Sequence, residues 1–193
     1  MKANLRKRAF CYILDLLIIT IVGSVLSMVV PKSTEYIAAQ DDISVLSESY
    51  LNQEIGFTEY FNEYSVLAKK VDQNNILYVS LCFVFNLIYF IIIPLFLKGR
   101  TVGMVISKLS VKNKSNSLFL AVLIRGIVAY GLLYYLFGLI ILLIPGNIYF
   151  ITLTILAIIQ ILVVICSIFM IKYRDDKRSL ADILSNSNIL IES

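Results

Sequence analysis

Two ionisable residues near the start of the chain, Arg8 and Asp15, have the types and the spacing that intramembrane chemistry needs. Asp15 lies within residues 10–30, which carry no other charge and are long enough to cross a bilayer as a helix. A separation of seven residues is almost two helical turns, so the guanidinium and the carboxylate share one helix face. A carboxylate in hydrocarbon costs about 2.5–3.5 kcal/mol at mid-membrane, and such acids commonly serve as ion sites or proton relays. We therefore expect a polar site for a proton or a cation on this face.

Two more charged residues are candidate members of the same site. Arg125 lies within a later apolar segment, where its long side chain could extend to the headgroups or turn inward to Asp15. Asp182 stands three residues after Ser179, which is a capping pattern at the start of a short helix. Asp182 could therefore serve only as a helix cap, or it could pair with Arg8 or another base at the cytoplasmic end of the bundle.

Two amides, Asn86 and Gln160, lie near the middle of two apolar segments. Buried amides often hydrogen-bond between helices in a membrane, and this contribution is about 0.6–2 kcal/mol in measured systems. We expect them to join helices, with coordination of a substrate as the alternative.

The residue types that the chain lacks exclude several chemistries. Histidine is absent, which excludes imidazole catalysis, a histidine-ligated metal and a Ser-His-Asp triad. The cysteines Cys11, Cys82 and Cys166 are far apart and suit buried apolar positions better than a zinc site. No nucleophile and base converge in the sequence, so we expect neither an enzyme nor a metal or cofactor.

Hydropathy predicts an all-α membrane protein with one domain over residues 1–193. The mean hydropathy is +0.86 and 59% of the residues are hydrophobic, both above the averages of soluble proteins. Four apolar segments are each long enough for a helical span: residues 10–30, 76–97, 118–144 and 148–171. These segments predict a bundle of four transmembrane helices in the lipid bilayer.

Charge predicts how the spans are oriented. Four bases precede residue 10, and residues 98–117 contain five bases and no acid, whereas residues 31–73 contain three lysines and eight acids. Positive segments remain in the cytoplasm. We therefore expect a multi-pass protein of the inner membrane with both termini and residues 98–117 inside, a mixed-charge tail at residues 172–193, and an acidic loop outside. Because these bases serve orientation, the net charge of +4 does not indicate nucleic-acid binding.

Both loops contain predicted structure. In the outer loop, aromatic and small apolar residues recur at helical spacing after a candidate N-cap at Thr58, at positions 57, 60, 61, 64, 68 and 71. This amphipathic helix could cover the end of the bundle, or it could be a lid or a partner-binding surface. In the inner loop we expect a short interfacial helix with Val102, Ile106 and Leu109 towards lipid. Residues 110–112 and 188–191 are candidate strands that could pair.

The chain resembles the RDD family of bacterial membrane proteins. Arg8 followed by Asp15 is similar to the family's first block, and residues 99–103 are similar to its G-x-T-x-G block. Arg125 matches a recurrent arginine of the next span, and residues 180–182 with Ser187 are similar to the closing block. At position 181 this chain has alanine where the family usually has histidine. The resemblance implies a polytopic membrane protein, and some members look like cation/proton antiporters.

Two functional hypotheses follow. In the first, the chain is a transporter that exchanges a monovalent cation for protons at Asp15, and Arg8, Arg125 or Asp182 controls the carboxyl group and the inner opening. Four spans are few for a complete pathway, so this transporter would work as a homodimer. In the second, the chain is a non-catalytic adaptor, regulator or immunity protein that binds a protein partner through its acidic outer loop, and the charged residues only stabilise the bundle.

Overall fold

Most of the chain forms helices in the computed structural model, which describes residues 3–113 and 117–192. The α-helices of these residues are α1 Leu5–Val29, α2 Thr34–Leu51, α3 Phe57–Asn74, α4 Ile76–Leu87, α5 Ile93–Phe96, α6 Val102–Ile106, α7 Leu118–Tyr130, α8 Leu132–Ile141, α9 Gly146–Tyr173 and α10 Leu180–Leu184. A π-helical segment, Ile88–Ile92, joins α4 to α5, and two short strands are β1 Leu109–Asn113 and β2 Ser187–Ile191. The chain is therefore mostly helical, as its hydropathy predicts.

Among the described residues, three helical stretches are long and apolar enough to cross a membrane: Leu5–Val29, Ile76–Phe96 and Gly146–Tyr173. Most of their large apolar side chains are exposed, as expected for surfaces that face lipid. Helices α7 and α8 form a fourth span only if they are counted together, because they meet at an angle of 72°. Residues 118–144, predicted as one span, thus contain two helices, and the fourth span stays a prediction.

Gly131 is the point at which this fourth segment breaks. It adopts the left-handed conformation, with φ +66°, which glycine tolerates better than any other residue. A Cβ at this position would lie 3.0 Å from Cδ of Gln160 on α9. Glycine therefore suits the bend for two reasons: the backbone is left-handed there, and Gln160 occupies the space that a side chain would need.

The π-helical segment in the second span follows from Pro94. Proline has no N–H, so it cannot donate the regular helical hydrogen bond to the carbonyl of Phe90. The preceding N–H, that of Ile93, instead bonds to the carbonyl of Ile88, five residues back. The wider turn buries three consecutive side chains, those of Tyr89, Phe90 and Ile91.

One end of the bundle is closed by a small substructure made of α6, β1, β2 and α10, which we call the cap. Strands β1 and β2 pair antiparallel, with Val111 opposite Ile189, so the predicted pairing is confirmed. Leu109 is fully buried and packs against Ala3 and Ile189. Its predicted position towards lipid is wrong, because residue 109 begins a strand instead of continuing the helical face of α6.

The opposite end of the bundle carries a hairpin of α2 and α3. Helix α3 includes the predicted amphipathic helix, but its N-cap is Gly56 instead of Thr58. Helix α2 was not expected, although Ser33 caps it by accepting a hydrogen bond from the N–H of Tyr36. Tyr50 of α2 stacks on Tyr60 of α3, with ring centroids 4.6 Å apart, and this contact joins the hairpin.

Polar side chains of α3 bind the turn between α8 and α9. The Ser65 hydroxyl donates to the carbonyl of Gly146 at 2.6 Å and accepts from the N–H of Phe150 at 3.0 Å. Lys69 donates to the carbonyl of Ile144, and Gln73 donates to that of Leu142. Carbonyls at the C-terminal end of a helix have no partner within the helix, so Lys69 and Gln73 supply donors for the carbonyls that follow α8.

Candidate functional site

The candidate site lies on one face of α1. Arg8, Cys11 and Asp15 are the buried residues of that helix, and their spacing places them on a single face. The rest of the helix is exposed or half-buried. The expectation that Arg8 and Asp15 share a face is therefore confirmed, although the two side chains have different partners.

Asp15 is fully buried and its carboxylate is surrounded by neutral donors. Oδ1 accepts from the hydroxyl of Tyr89 at 2.7 Å and from the N–H of Gly103 at 2.8 Å. Oδ2 accepts from the hydroxyl of Thr101 at 2.7 Å and from that of Tyr130 at 3.3 Å. These four donors come from the second span, the cap region and the end of α7, so the carboxylate joins three parts of the fold.

A fifth donor and the absence of a cation complete the surroundings of Asp15. The thiol of Cys11, one turn earlier on α1, lies 3.7 Å from Oδ2. Within residues 3–113 and 117–192, no lysine or arginine forms an ion pair with this carboxylate. Hydrogen bonds from neutral groups therefore replace the counter-ion that a buried carboxylate would otherwise require.

The G-x-T-x-G block positions two of these donors. Gly99 has φ +84°, which turns the chain after the second span. Thr101 is the N-cap of α6, and its hydroxyl both accepts from the N–H of Met104 and donates to Asp15. A Cβ on Gly103 would lie 2.6 Å from Oδ1 of Asp15. Only a glycine therefore allows the backbone of α6 to approach the carboxylate this closely.

Arg8 pairs with Asp182, not with Asp15. The guanidinium donates through Nη1 to Oδ2 of Asp182 and through Nε to the carbonyl of Ala3. The side chains of Arg8 and Asp182 are 8% and 1% exposed. Asp182 also completes a capping box with Ser179. Both expected roles of Asp182, as a cap and as a partner of Arg8, therefore occur together.

Arg125 turns inward but does not reach Asp15. It is 7% exposed, so it does not extend to the headgroups. Nη2 points to the sulfur of Met104 at 3.6 Å, and Nη1 is buried without a hydrogen-bond partner among the described residues. A thioether is a weak acceptor, so this guanidinium is poorly satisfied.

A cavity of about 190 Å³ lies between α1, α7, α9 and the cap. Arg8, Arg125 and Asp182 line it together with Cys11 and Tyr130, which contact Asp15. We call the donors around Asp15 the carboxylate cage: Cys11, Tyr89, Thr101, Gly103 and Tyr130. Asp15 lies in this cage, and the other three charged residues predicted from the sequence line the adjoining cavity.

The two amides take different positions. Gln160 donates to the carbonyl of Val128 on α7 at 3.5 Å, which joins two helices as expected. Asn86 donates at 2.8 Å to the carbonyl of Cys82 in its own helix, and its Oδ1 is buried with no partner in the part of the chain that the structure describes. Neither amide contacts Asp15.

Sequence reasoning missed the hydroxyl donors Tyr89, Thr101 and Tyr130. Tyr89 and Tyr130 lie within apolar segments without a motif around them, and Thr101 belongs to the G-x-T-x-G block. The threonine between two glycines was the available signal, since a helix cap at that position brings its side chain inward. The oxygen atoms of these hydroxyls and of the carboxylate are also the groups that could coordinate a cation.

Arg174 and Asp176 lie outside this site. They form an exposed pair with 3.0 Å between Nη2 and Oδ2 in the tail after α9. The guanidinium lowers the pKa of Asp176 to about 2. The consecutive sequence Arg-Asp-Asp at positions 174–176 is therefore a local surface feature, separate from the buried arginine and aspartates.

Comparison with known proteins gives one match. A family profile described as the RDD family matches residues 2–186, nearly the whole chain. No curated protein and no solved structure matches this chain. The match includes Arg8, Asp15 and Asp182 and the G-x-T-x-G block.

Proposed function

The chain belongs to the RDD family, and we propose that it is a membrane transporter that exchanges a monovalent cation for protons at Asp15. The observation that carries this proposal is the set of donors around the carboxylate. They are all neutral, and three of them are hydroxyls: Tyr89, Thr101 and Tyr130. A carboxylate without a permanent cation is free to accept one.

The hydroxyls give the cage two ways to hold Asp15. Each hydroxyl carries one proton and two lone pairs, so it can donate to the carboxylate or turn its oxygen to a cation. When a cation enters, the carboxylate supplies its counter-charge and the hydroxyl oxygens supply further ligands. When the cation leaves, Asp15 either takes up a proton or again accepts hydrogen bonds from the hydroxyls. This alternation is the chemistry that exchange requires.

We propose that the Arg8–Asp182 pair closes the path on the cap side. Seven residues of α1 separate Arg8 from Asp15, which corresponds to about 10 Å along a helix. The pair lines the cavity that adjoins the cage. Separating α10 from α1 would break the pair and open this route, and we propose that the cap moves in this way.

The proposed orientation follows from charge. The described N-terminal residues and the cap carry bases at Arg6, Lys7, Lys108 and Lys112, whereas the α2–α3 hairpin at the opposite end is acidic. Positive segments stay inside, so we propose that the cap and both termini face the cytoplasm and that the hairpin lies outside the inner membrane. We further propose a dimer, because three or four spans leave little material for a whole pathway.

The decisive test measures ion exchange in proteoliposomes that contain a pH-sensitive dye. Sodium, potassium and lithium are added in turn to the wild type and to Asp15→Asn. The substitution keeps the shape, and its amide oxygen can still accept from Tyr89 and Gly103. We therefore expect Asp15→Asn to insert normally but to give no cation-dependent dye response.

Asp176→Asn is the matched control, because it removes an exposed acid on the cap side and should leave exchange unchanged. Equal thermal stability of the three proteins in detergent would show that the fold is kept. If Asp15→Asn exchanges cations at the wild-type rate, Asp15 is not the exchange site and the transport mechanism fails.

Partner binding remains a second candidate, and a groove in the outer hairpin favours it. The groove measures about 620 Å³ and lies between α2 and α3, with Asp42 and Glu63 among its lining residues. Deleting residues 34–51 removes α2 but keeps the bonds that Ser65 and Lys69 make to the bundle. Loss of a partner in a pull-down without any change in ion flux would favour partner binding by α2, whereas lost flux would place α2 in the transport path.

A further inference from the structure

We infer that the cavity beside α7 binds an anionic phosphate group through Arg125. The phosphate comes either from the headgroup of an anionic phospholipid or from free inorganic phosphate. This site adjoins the proposed cation site at Asp15, and phosphate binding can be measured without measuring transport.

The first reason is the unsatisfied guanidinium of Arg125. A buried arginine has five N–H donors and needs acceptors for them. Here Nη2 reaches only the sulfur of Met104, and Nη1 has no partner among the described residues. Arg125 lines the cavity, and a small shift of its side chain would bring the unpaired donors to an acceptor placed there.

The second reason is the distribution of charge around the cavity. Arg8 and Asp182 satisfy each other as an ion pair. Asp15 is satisfied by the neutral donors of its cage. Of these four buried charges, Arg125 alone makes no bond to an oxygen acceptor within residues 3–113 and 117–192. An oxyanion is the ligand that complements it, and a planar guanidinium binds phosphate oxygens in a bidentate fashion.

The third reason is the amphipathic lining. Apolar side chains of α1, α7 and α9 form much of the wall: Ile13, Val128, Val164, Ile168 and Ile171. Ile13 is 58% exposed and Ile168 is 45% exposed, on helices long and apolar enough to span a membrane. The cavity therefore borders a surface where lipid would lie. A phospholipid could place its phosphate on Arg125 and its first acyl carbons against α1 and α9.

The lipid arm of the test uses delipidated protein in detergent. Phosphatidylglycerol and phosphatidylcholine are titrated separately, and bound lipid is counted by native mass spectrometry. For the lipid source we expect the wild type to prefer phosphatidylglycerol and Arg125→Gln to bind it at least about tenfold more weakly, as the loss of charge-assisted hydrogen bonds implies. Lys112→Gln removes an exposed base of the cap and should keep the preference.

The free-phosphate arm measures the midpoint of thermal unfolding with inorganic phosphate and with chloride of equal ionic strength. A ligand of the folded state raises this midpoint by mass action. Stabilisation of the wild type but not of Arg125→Gln, without any preference for phosphatidylglycerol, would identify free phosphate as the source.

A second variant guards against misfolding of Arg125→Gln. Ala129→Leu adds bulk to the cavity wall and leaves Arg125 in place. It should weaken binding of whichever phosphate the wild type takes. The inferred site is overturned if binding of neither phosphatidylglycerol nor inorganic phosphate depends on Arg125. It is also overturned if Ala129→Leu binds the phosphate source as tightly as the wild type does.

Discussion

Replacing Gly103 by alanine tests how closely α6 must approach α1. The new Cβ would fall 2.6 Å from Oδ1 of Asp15 and 2.6 Å from the backbone carbonyl oxygen of Cys11. The carbonyl belongs to the regular part of α1 and cannot rotate away, so α6 itself must move. That movement lengthens the 2.8 Å hydrogen bond from the N–H of Gly103 to Asp15.

Three effects set the magnitude, two of them destabilising and one stabilising. Overpacking of a tight contact costs about 1–3 kcal/mol, and the loss of a hydrogen bond to a charged group costs about 1.5–3 kcal/mol. Alanine favours the helical backbone of α6 by about 1 kcal/mol relative to glycine. We therefore expect Gly103→Ala to lower the free energy of unfolding by about 2–5 kcal/mol.

The assay is equilibrium unfolding in mixed micelles with an increasing fraction of denaturing detergent, followed by loss of helical circular dichroism. Gly138→Ala is the matched control, because a Cβ there meets nothing within 4 Å. Since Gly138 lies inside α8, its replacement should be neutral or stabilising, by up to about 1 kcal/mol. The same proteins are tested for cation-dependent exchange, which only Gly103→Ala should impair.

Equal behaviour of Gly103→Ala and Gly138→Ala would contradict this expectation. If Gly103→Ala and Gly138→Ala unfold at the same detergent fraction and both exchange cations like the wild type, then α6 does not press against Asp15. In that case the second glycine of the G-x-T-x-G block has no packing role, and the proposed cage around the carboxylate is wrong.

Two further predictions concern the ends of the bundle. Arg8→Gln should lower the free energy of unfolding by about 3–5 kcal/mol, because it leaves Asp182 as an unpaired buried charge; adding Asp182→Asn should restore part of this loss in a double-mutant cycle. At the other end, burial raises the pKa of Asp72 above its usual value of 3.8, although Tyr149 donates to it at 2.5 Å. Because the docked state has the higher pKa, docking of α3 should be strongest at acid pH and should weaken as pH rises through that pKa. Asp72→Asn should abolish this dependence, which hydrogen-exchange protection of α3 measures; equal pH dependence in both proteins would contradict it.

The parts of the fold that were predictable depend on patterns close together in the chain. Apolar length located three helices among the described residues that are long enough to span a membrane, and helical spacing located α3. The β1–β2 pairing followed from strand propensity in two short segments. The capping pattern of Ser179 and Asp182 correctly indicated the start of α10. Each of these signals extends over a few turns at most, so a single sequence contains it.

The rest depends on contacts between distant residues. Nothing near Gly131 distinguishes a sharp bend from a glycine in a straight helix, because the bend also requires Gln160 of another helix. Likewise, the hydroxyls of Tyr89 and Tyr130 bond to Asp15 from 74 and 115 residues away. Sequence could identify Asp15 as an unusual acid, but not the donors that make its burial possible.

The π-helical segment makes the number of residues in the second span as important as their types. A regular helix turns by about 100° per residue, and the wide turn before Pro94 accommodates one residue more than a regular turn does. Deleting one residue from Ile88–Ile92 would turn the two halves of the span relative to each other by about 100°, so Tyr89 and the G-x-T-x-G block could no longer meet at the same carboxylate. Homologous chains that keep the tyrosine but lack the additional residue would therefore present a different side chain to the carboxylate.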